Sequence, residues 1–334
     1  MTAFSGLDRP HGRTYNLLWS GFFFLLLVTG CWLIYLASQA VDYTWRWYNI
    51  PQYFYYTETV EVRSQIEGEI TSVRTKGKDR IFEIQGDGET EHITLPGGKA
   101  LLEEGDLVSM GDVLGTYKQG SPGVLLTGVW MTLKVSILAI ILGIVIGLLT
   151  GLARIGDNPA LRWSAITYIE LIRGSPLLVQ IFLWYFVVGT LINTVLAKQG
   201  IGQIPSLWFG VISLALFAGA YIAEIVRAGI QSVHRGQMEA ARSLGMNYAQ
   251  AMRKVILPQA FRRILPPLAG QFISLIKDSS LLGVIAIREL TKATRETVST
   301  TLQPFELWIV CALLYLVLTF TLSMFVQYLE RKAI

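Results

Sequence analysis

The sequence predicts a predominantly helical integral membrane protein that carries a small β-rich segment near its N-terminus. First, 52% of its 334 residues are hydrophobic and only 16% are charged, whereas soluble domains carry about 25% charged residues. Second, the apolar residues are gathered into long runs that contain few charges. Third, the segment between the first two runs alternates apolar and polar residues, which is typical of strands rather than membrane helices.

Six apolar runs are long enough to cross the roughly 30 Å hydrocarbon core of a bilayer as helices. They cover residues 17–38, 124–151, 166–195, 206–228, 263–286 and 307–329. The first run follows two arginines and could be a cleaved signal peptide. Its length exceeds the roughly 7–15 apolar residues of a signal peptide, and many aromatic residues follow it, as at a bilayer surface. Both observations favour a retained membrane anchor.

The distribution of Lys and Arg predicts the orientation, because these residues accumulate on the cytoplasmic side of membrane proteins. One side of the alternation collects Arg9, Arg13, Arg154, Arg162, Arg227, Arg235, Arg242, Arg253, Lys254, Arg262, Arg263, Arg331 and Lys332. The short loops of the other side hold Lys198, Arg288, Lys292 and Arg295. We therefore expect both termini in the cytoplasm. Since the basic residues follow the span ends and form no continuous face, nucleic-acid binding is not expected.

Residues 41–120 should then lie outside, as a small domain that contains 14 acidic and 8 basic residues. Short alternating stretches are separated by turn signals at 86–88 and 96–98, which predicts a β-rich fold. Two phrases, at 67–70 and 104–115, resemble the halves of a barrel-sandwich hybrid domain such as the lipoyl and biotinyl domains. No lysine occupies the expected hairpin between them, so a carried cofactor is not expected. The two cysteines lie in separate apolar runs and the three histidines are scattered, which predicts no metal site.

The loop at 231–250, between the fourth and fifth runs, falls on the cytoplasmic side. It predicts a short helix over about 235–244 that ends at Gly245, because glycine readily takes the left-handed conformation of a helix C-cap. Ala240, Ala241 and Leu244 would form a small apolar face, and Pro258 should interrupt the next helix. From composition alone this loop is an ordinary amphipathic connector.

The order of residues in the loop gives it a second interpretation. Glu239-Ala240-Ala241, Gly245 and the later Ile256-Leu257-Pro258 resemble the EAA loop of binding-protein-dependent ABC importer permeases. Three further phrases resemble the polar amino acid branch of that family: ELIRGSPLLVQ at 170–180, AYIAEIVRAG at 220–229 and KDSSL at 277–281. The branch more often has Thr where this chain has Ser175.

The resemblance implies a type I ABC importer transmembrane domain at 121–334, with a five-helix core. The cytoplasmic tail and anchor at 1–40 and the periplasmic β domain at 41–120 would be additions to that plan. In the family the EAA loop forms a coupling helix that docks in a groove of the ATPase subunit. Carried over to this sequence, the coupling residues are Glu239, Ala240, Ala241, Leu244, Gly245 and Pro258.

The implied function is a permease subunit of the cell inner membrane that imports polar amino acids and has no catalytic residues of its own. The sequence has no G-x-x-x-x-G-K-[ST] phosphate loop, so ATP and Mg²⁺ would be bound by an ATPase subunit dimer. The other implied partners are a second permease, identical or homologous, and a periplasmic substrate-binding protein. Alternatives are a secondary transporter, a membrane sensor or a membrane enzyme. The EAA loop argues against all three.

Six ionisable residues in the predicted spans are candidates for the pathway or gate: Glu170, Arg173, Glu224, Arg227, Lys277 and Asp278. Charges at membrane depth cost at least about 2.5–3.5 kcal/mol on insertion scales, so pairing is expected. Glu170 with Arg173 and Glu224 with Arg227 are three residues apart and could each form a pair on one helix face. Either pair could brace the structure or contact substrate. The adjacent Lys277 and Asp278 point to different faces, so at least one of them needs another partner or a wet pathway.

Overall fold

The computed structural model describes residues 13–86 and 88–333. The chain divides into two units, Met1–Tyr48 and Asn49–Ile334. In the first unit, helix α1 (Arg13–Ala40) exposes most of its apolar side chains. Just after the helix, the Trp45 indole donates a hydrogen bond to Ser38 Oγ at 3.0 Å and stacks on Trp47 with ring centroids 5.7 Å apart. These contacts fold the chain back at the C-terminal end of α1.

The second unit begins within a 3-10 turn, Trp47–Tyr53, and a β region follows this turn. Its strands are β1 (Tyr55–Arg63), β2 (Gly68–Lys76), β3 (Asp79–Gln85), β4 (Thr90–Leu95), β5 (Lys99–Ala100), β6 (Leu107–Val108) and β7 (Val113–Pro122). They form two antiparallel sheets with the orders β1-β7-β5 and β4-β3-β2-β6. A core of their own lies between the sheets: Ile70, Phe82, Ile84, Leu95, Val108 and Leu114. The strand register thus gives the β region an apolar interior that is separate from the helices.

Strands β1 and β7 connect the β region to the helices. Their register pairs Tyr55 with Pro122 at one end and continues to Val62 opposite Gly115. The base of this ribbon is tied down because the Gly123 amide donates to the Phe54 carbonyl at 2.7 Å, and Tyr53 is buried against Leu125 and Leu307. The ribbon therefore enters the helical part at one fixed point.

The helical part contains ten α-helices and three other helical segments among the described residues. The α-helices are α2 (Val124–Ile155), α3 (Pro159–Arg173), α4 (Leu177–Phe182), α5 (Thr190–Lys198), α6 (Ser206–Gln231), α7 (Arg235–Ser243), α8 (Tyr248–Ala251), α9 (Leu257–Asp278), α10 (Leu290–Thr301) and α11 (Pro304–Ala333). Segments with π geometry, Leu183–Gly189 and Met252–Ile256, join α4 to α5 and α8 to α9, and a 3-10 turn, Ser279–Ile285, follows α9.

Six helical runs within the described ranges are long and apolar enough to cross a membrane. They are Thr14–Ala40, Val124–Ile155, Leu177–Lys198, Ser206–Gln231, Tyr248–Ile285 and Pro304–Tyr328. Helix α6 is the most buried of them, with 67% of its most apolar window inside the protein. It is therefore the central helix of the second unit, and α2, α3 and α9 pack against it.

Helices α2 and α6 approach each other closely along a ridge of small residues, Gly143, Gly147 and Gly151. A Cβ atom added at Gly147 would lie 2.6 Å from the Cβ of Ile222 and 2.8 Å from the Gly219 carbonyl oxygen. No side chain fits there without moving the backbone of α6. The spacing of four residues predicts such a ridge, and the structure confirms it.

Two of the predicted spans have the wrong limits. The span over 166–195 is not continuous, because α3 ends at Gly174 and a new helix starts after Pro176, a residue that disfavours a helical conformation in the residue before it. Just before Pro258 the regular α-helix is interrupted, as predicted, but by a π turn, Met252–Ile256, rather than by a loop. The helical run as a whole extends from Tyr248 to Ile285, so the predicted start of this span at 263 is wrong. The π turn that ends at Ile256 widens the helix before Pro258 and so accommodates its ring and missing N–H.

Candidate functional site

The predicted short helix in the loop at 231–250 is present as α7. His234 caps its first turn, because Nδ1 accepts a hydrogen bond from the Gly236 amide at 3.1 Å. At the other end Gly245 has φ +84°. The Gly245 amide donates to the Arg242 carbonyl at 3.0 Å and the Met246 amide to the Ala241 carbonyl at 3.2 Å. This is a Schellman motif, and it confirms the left-handed C-cap predicted at Gly245.

The apolar face of α7 is divided between the protein interior and the surface. Ala241 is only 4% exposed, so it packs inside this chain and cannot also form an outer contact. Ala240, like Glu239, is exposed, and Leu244 is 81% exposed at the tip of the loop. The predicted single face of Ala240, Ala241 and Leu244 is therefore wrong: Ala241 anchors the helix, and Leu244 is the apolar group offered outward.

Two contacts hold α7 against the helical run that follows it. The partly buried Met238 of α7 and Met252 and Ile256 of the π turn belong to the same apolar core. On the surface, Gln259 Nε2 donates to Gln237 Oε1 at 3.2 Å. Between them, Asn247 forms a capping box with Gln250. The loop is thus a defined helix–turn–helix connected to α9, with Pro258 at the first turn of α9.

Glu224 is the centre of an ion-pair cluster between α2 and α6. Arg227 donates to Glu224 Oε2 from Nε at 3.1 Å and from Nη2 at 2.9 Å, which confirms the predicted pair. Arg154 of α2 donates from Nη1 to the other oxygen, Oε1. The third side-chain nitrogen of Arg227, Nη1, donates to Gln231 at 2.5 Å. The carboxylate therefore links two helices, a role that the spacing of three residues could not reveal.

The other predicted pair does not form. Glu170 and Arg173 are exposed, and no ion pair joins them in the described part of the chain. Instead the Arg173 guanidinium lies over the Tyr221 ring, 5.2 Å from its centroid. A cation over an aromatic face is a favourable alternative to a carboxylate, and Tyr221 brings it to the same part of α6 as Glu224.

Lys277 and Asp278 end α9. Lys277 is exposed and Asp278 is half-buried, and within the described residues neither forms an ion pair. The next residue, Ser279, is buried and donates through Oγ to the Ile276 carbonyl at 2.7 Å. Among the described residues, no hydrogen bond or ion pair joins Lys277 or Asp278 to the Glu224 cluster.

Sequence reasoning missed Glu289, a fully buried carboxylate between the last two spans. It caps α10 by accepting hydrogen bonds from the amides of Thr291 at 2.8 Å and Lys292 at 2.7 Å, and from the Tyr315 hydroxyl at 2.9 Å. Burial raises the pKa of this carboxyl, and the hydrogen bonds oppose that shift. The sequence offered little signal for this role, because glutamate is not among the residues that prefer the N-cap position.

A protein-family model described as "Binding-protein-dependent transport system inner membrane component" matches residues 143–334, which include α6, α7 and α9. The chain belongs to this family. It is therefore a multi-pass permease component of an ABC importer and a non-catalytic subunit of a transport complex.

Two relatives and one solved structure illustrate the similarity. The chain is 42% identical over 205 residues to "Probable glutamine ABC transporter permease protein GlnM" of Bacillus subtilis, covering 61% of this chain and 91% of that protein. It is 39% identical over 209 residues to "Glutamine transport system permease protein GlnP" of Escherichia coli K12, covering 63% and 92%. It is also similar to the chain in "Crystal structure of an amino acid ABC transporter with histidines", with TM-score 0.55, 42% identity and coverage of 63% and 94%. The helical part therefore has the type I importer transmembrane fold.

Proposed function

We propose that this permease imports a polar amino acid from the periplasm to the cytoplasm and is driven by a separate ATPase that docks on α7. Relatives named for glutamine and L-cystine transport support the substrate class. The exposed Leu244 beside a rigidly capped helix is the observation that carries the docking proposal.

The geometry of α7 suits a docking element in three ways. Leu244 places an apolar side chain, 81% exposed, at the tip of a polar loop, where its burial by a partner would be favourable by about 1.5–3 kcal/mol. The Schellman motif at Gly245 fixes the direction in which Leu244 points. Because Ala241 is buried while Glu239 and Ala240 are exposed, we assign the contact surface to the outer side of α7.

The charge distribution supports an inner-membrane topology with both termini in the cytoplasm. In this proposal residues 1–40 form the tail and anchor, residues 41–120 form a periplasmic β domain, and residues 121–334 form the importer domain with coupling loop 231–250. The acidic composition of 41–120 agrees with that location, because cytoplasmic segments are enriched in Lys and Arg.

Two groups of charges are assigned to the translocation route. The first is the Glu224 cluster, which joins α2 to α6 and shares a cavity with Arg173. The second is the exposed Lys277 and the half-buried Asp278 at the end of α9. Lys277, Asp278 and Glu170, the last of which belongs to neither group, form no ion pair with a described side chain and are our candidates for contact with a zwitterionic substrate. Glu224, with both oxygens engaged, is a structural brace.

The complete importer would contain this chain, a second permease, two ATPase subunits and a periplasmic binding protein that delivers the amino acid. ATP and Mg²⁺ are assigned to the ATPase subunits and no cofactor to this chain. A loaded binding protein can shift the permease between outward and inward states only if it binds one of them more tightly.

Leu244→Asp tests the docking of α7, with Leu107→Asp as its matched control. Both leucines are more than four-fifths exposed, at 81% and 82%, but Leu107 lies in β6. The aspartate at 244 should abolish co-purification of the ATPase subunit, because a charge buried against an apolar groove is costly. The control should retain it. Equal ATPase binding by both variants would refute the docking proposal, whatever the substrate proves to be.

A further inference from the structure

A cavity of about 490 Å³ opens beside the C-terminal end of α6 and the first half of α9. Its polar lining is formed by Arg173, Glu224, Arg227, Ser232 and Arg263. Three arginines and one carboxylate therefore share one cavity, so positive charge exceeds negative charge in its lining.

Both oxygens of Glu224, the single carboxylate of this cavity, already accept hydrogen bonds from arginines. One of its oxygens accepts from Arg154 and the other from two nitrogens of Arg227. Counting Arg154, the cluster contains four guanidinium groups and one carboxylate, which is an excess of three positive charges.

Arg173 and Arg263 carry most of the uncompensated charge. The Arg173 guanidinium is placed over the Tyr221 ring, and Arg263 donates from Nη1 to the Ser232 carbonyl. Neither contact is with a carboxylate, and among the side chains that the structure describes none forms an ion pair with either arginine. Each keeps N–H donors that can point into the cavity, since a guanidinium has five.

We propose that this cavity binds an oxyanion, a carboxylate or phosphate group, through the arginines that line it, Arg173 and Arg263 among them. The planar guanidinium matches the geometry of these groups and forms two parallel hydrogen bonds with them. The oxyanion belongs either to a small soluble molecule or to the headgroup of an acidic phospholipid, because basic pockets between membrane helices also receive such headgroups. The proposal does not depend on the docking of α7.

The test uses the full-length permease, purified in a zwitterionic detergent, and two probes. Inorganic phosphate is titrated against chloride of equal ionic strength while the thermal unfolding midpoint is followed. Phosphatidylglycerol and phosphatidylcholine are compared by counting bound lipids in native mass spectra. The variants are Arg263→Gln and Arg173→Gln, and the matched control is Arg262→Gln, an exposed neighbour that does not line the cavity.

Each cavity variant loses a charged hydrogen-bond donor, so its affinity for the probe that binds the unmodified protein should fall by about tenfold or more. The affinity of the control should fall by less than about twofold. If the cavity variants lose only the binding of phosphate, the ligand is a small soluble oxyanion. If they lose only the binding of phosphatidylglycerol, the ligand is a lipid headgroup. If neither probe binds the unmodified protein, or if Arg262→Gln weakens binding as much as the two cavity variants, the cavity is not an oxyanion site. Unfolding midpoints without any probe show whether Arg263→Gln, which loses the contact with Ser232, is still folded.

Discussion

Replacing Glu224 with Gln should destabilise the packing of α2 on α6. The carboxylate accepts three hydrogen bonds from two arginines, and its side chain is only 17% exposed. Charged hydrogen bonds contribute about 1.5–3 kcal/mol each, and breaking a fully buried ion pair costs about 3–5 kcal/mol. Arg154 and Arg227 keep 21% and 30% exposure, so water screens part of the loss. We expect a decrease of about 2–3 kcal/mol in the free energy of unfolding.

A double-mutant cycle isolates the contact between helices from the effect on Arg227. The free energies of unfolding of Glu224→Gln, Arg154→Gln and the double variant are measured by reversible SDS titration in mixed micelles. Because the second substitution removes a charge that the first has already left unpaired, the double variant should be about 1–2 kcal/mol more stable than the sum of the single effects predicts. Strict additivity within about 0.5 kcal/mol would mean that Arg154 and Glu224 do not interact.

Two further predictions concern topology and pH. In a background without Cys31 and Cys311, an impermeant thiol reagent applied to spheroplasts should label Gly88→Cys and spare Gln237→Cys; the reverse pattern would refute the proposed orientation. The raised pKa of Glu289 means that the folded state binds its proton more tightly than the unfolded state, so the contribution of this group to stability should fall as pH rises above its ordinary value of 4.5. Unfolding midpoints measured against pH should show that slope in the unmodified protein and lose it in Glu289→Gln; an unchanged slope would assign the pH dependence to another group.

Patterns carried by one helix were readable from the sequence. The ridge at Gly143, Gly147 and Gly151 needs only a four-residue spacing, and the C-cap at Gly245 needs only the permissive backbone of glycine. Both are local, and both are present in the structure.

Features that depend on two distant segments were not readable. Arg154 and Glu224 are 70 residues apart, so their contact depends on how α2 packs against α6. Arg173 contacts the Tyr221 ring instead of Glu170. The sequence could not show this either, because Tyr221 belongs to α6 and Arg173 to α3. The packing of α7 through Met238 likewise depends on a distant segment, the π turn at Met252–Ile256.

The division of α7 into an inner and an outer side determines how a partner could act on the membrane helices. A partner that pushes on Leu244 would act on α7, whose C-terminus is fixed by two backbone hydrogen bonds. The inner side of α7 packs on the π turn before α9. Bending α7 would break the Schellman motif, and separating it from α9 would expose Met238 and break the contact of Gln237 with Gln259. The least costly response is for α7 and the start of α9 to move together as one body. Since α9 continues without a break to Asp278, a displacement at the loop would be carried along the helix to the second group of candidate pathway charges.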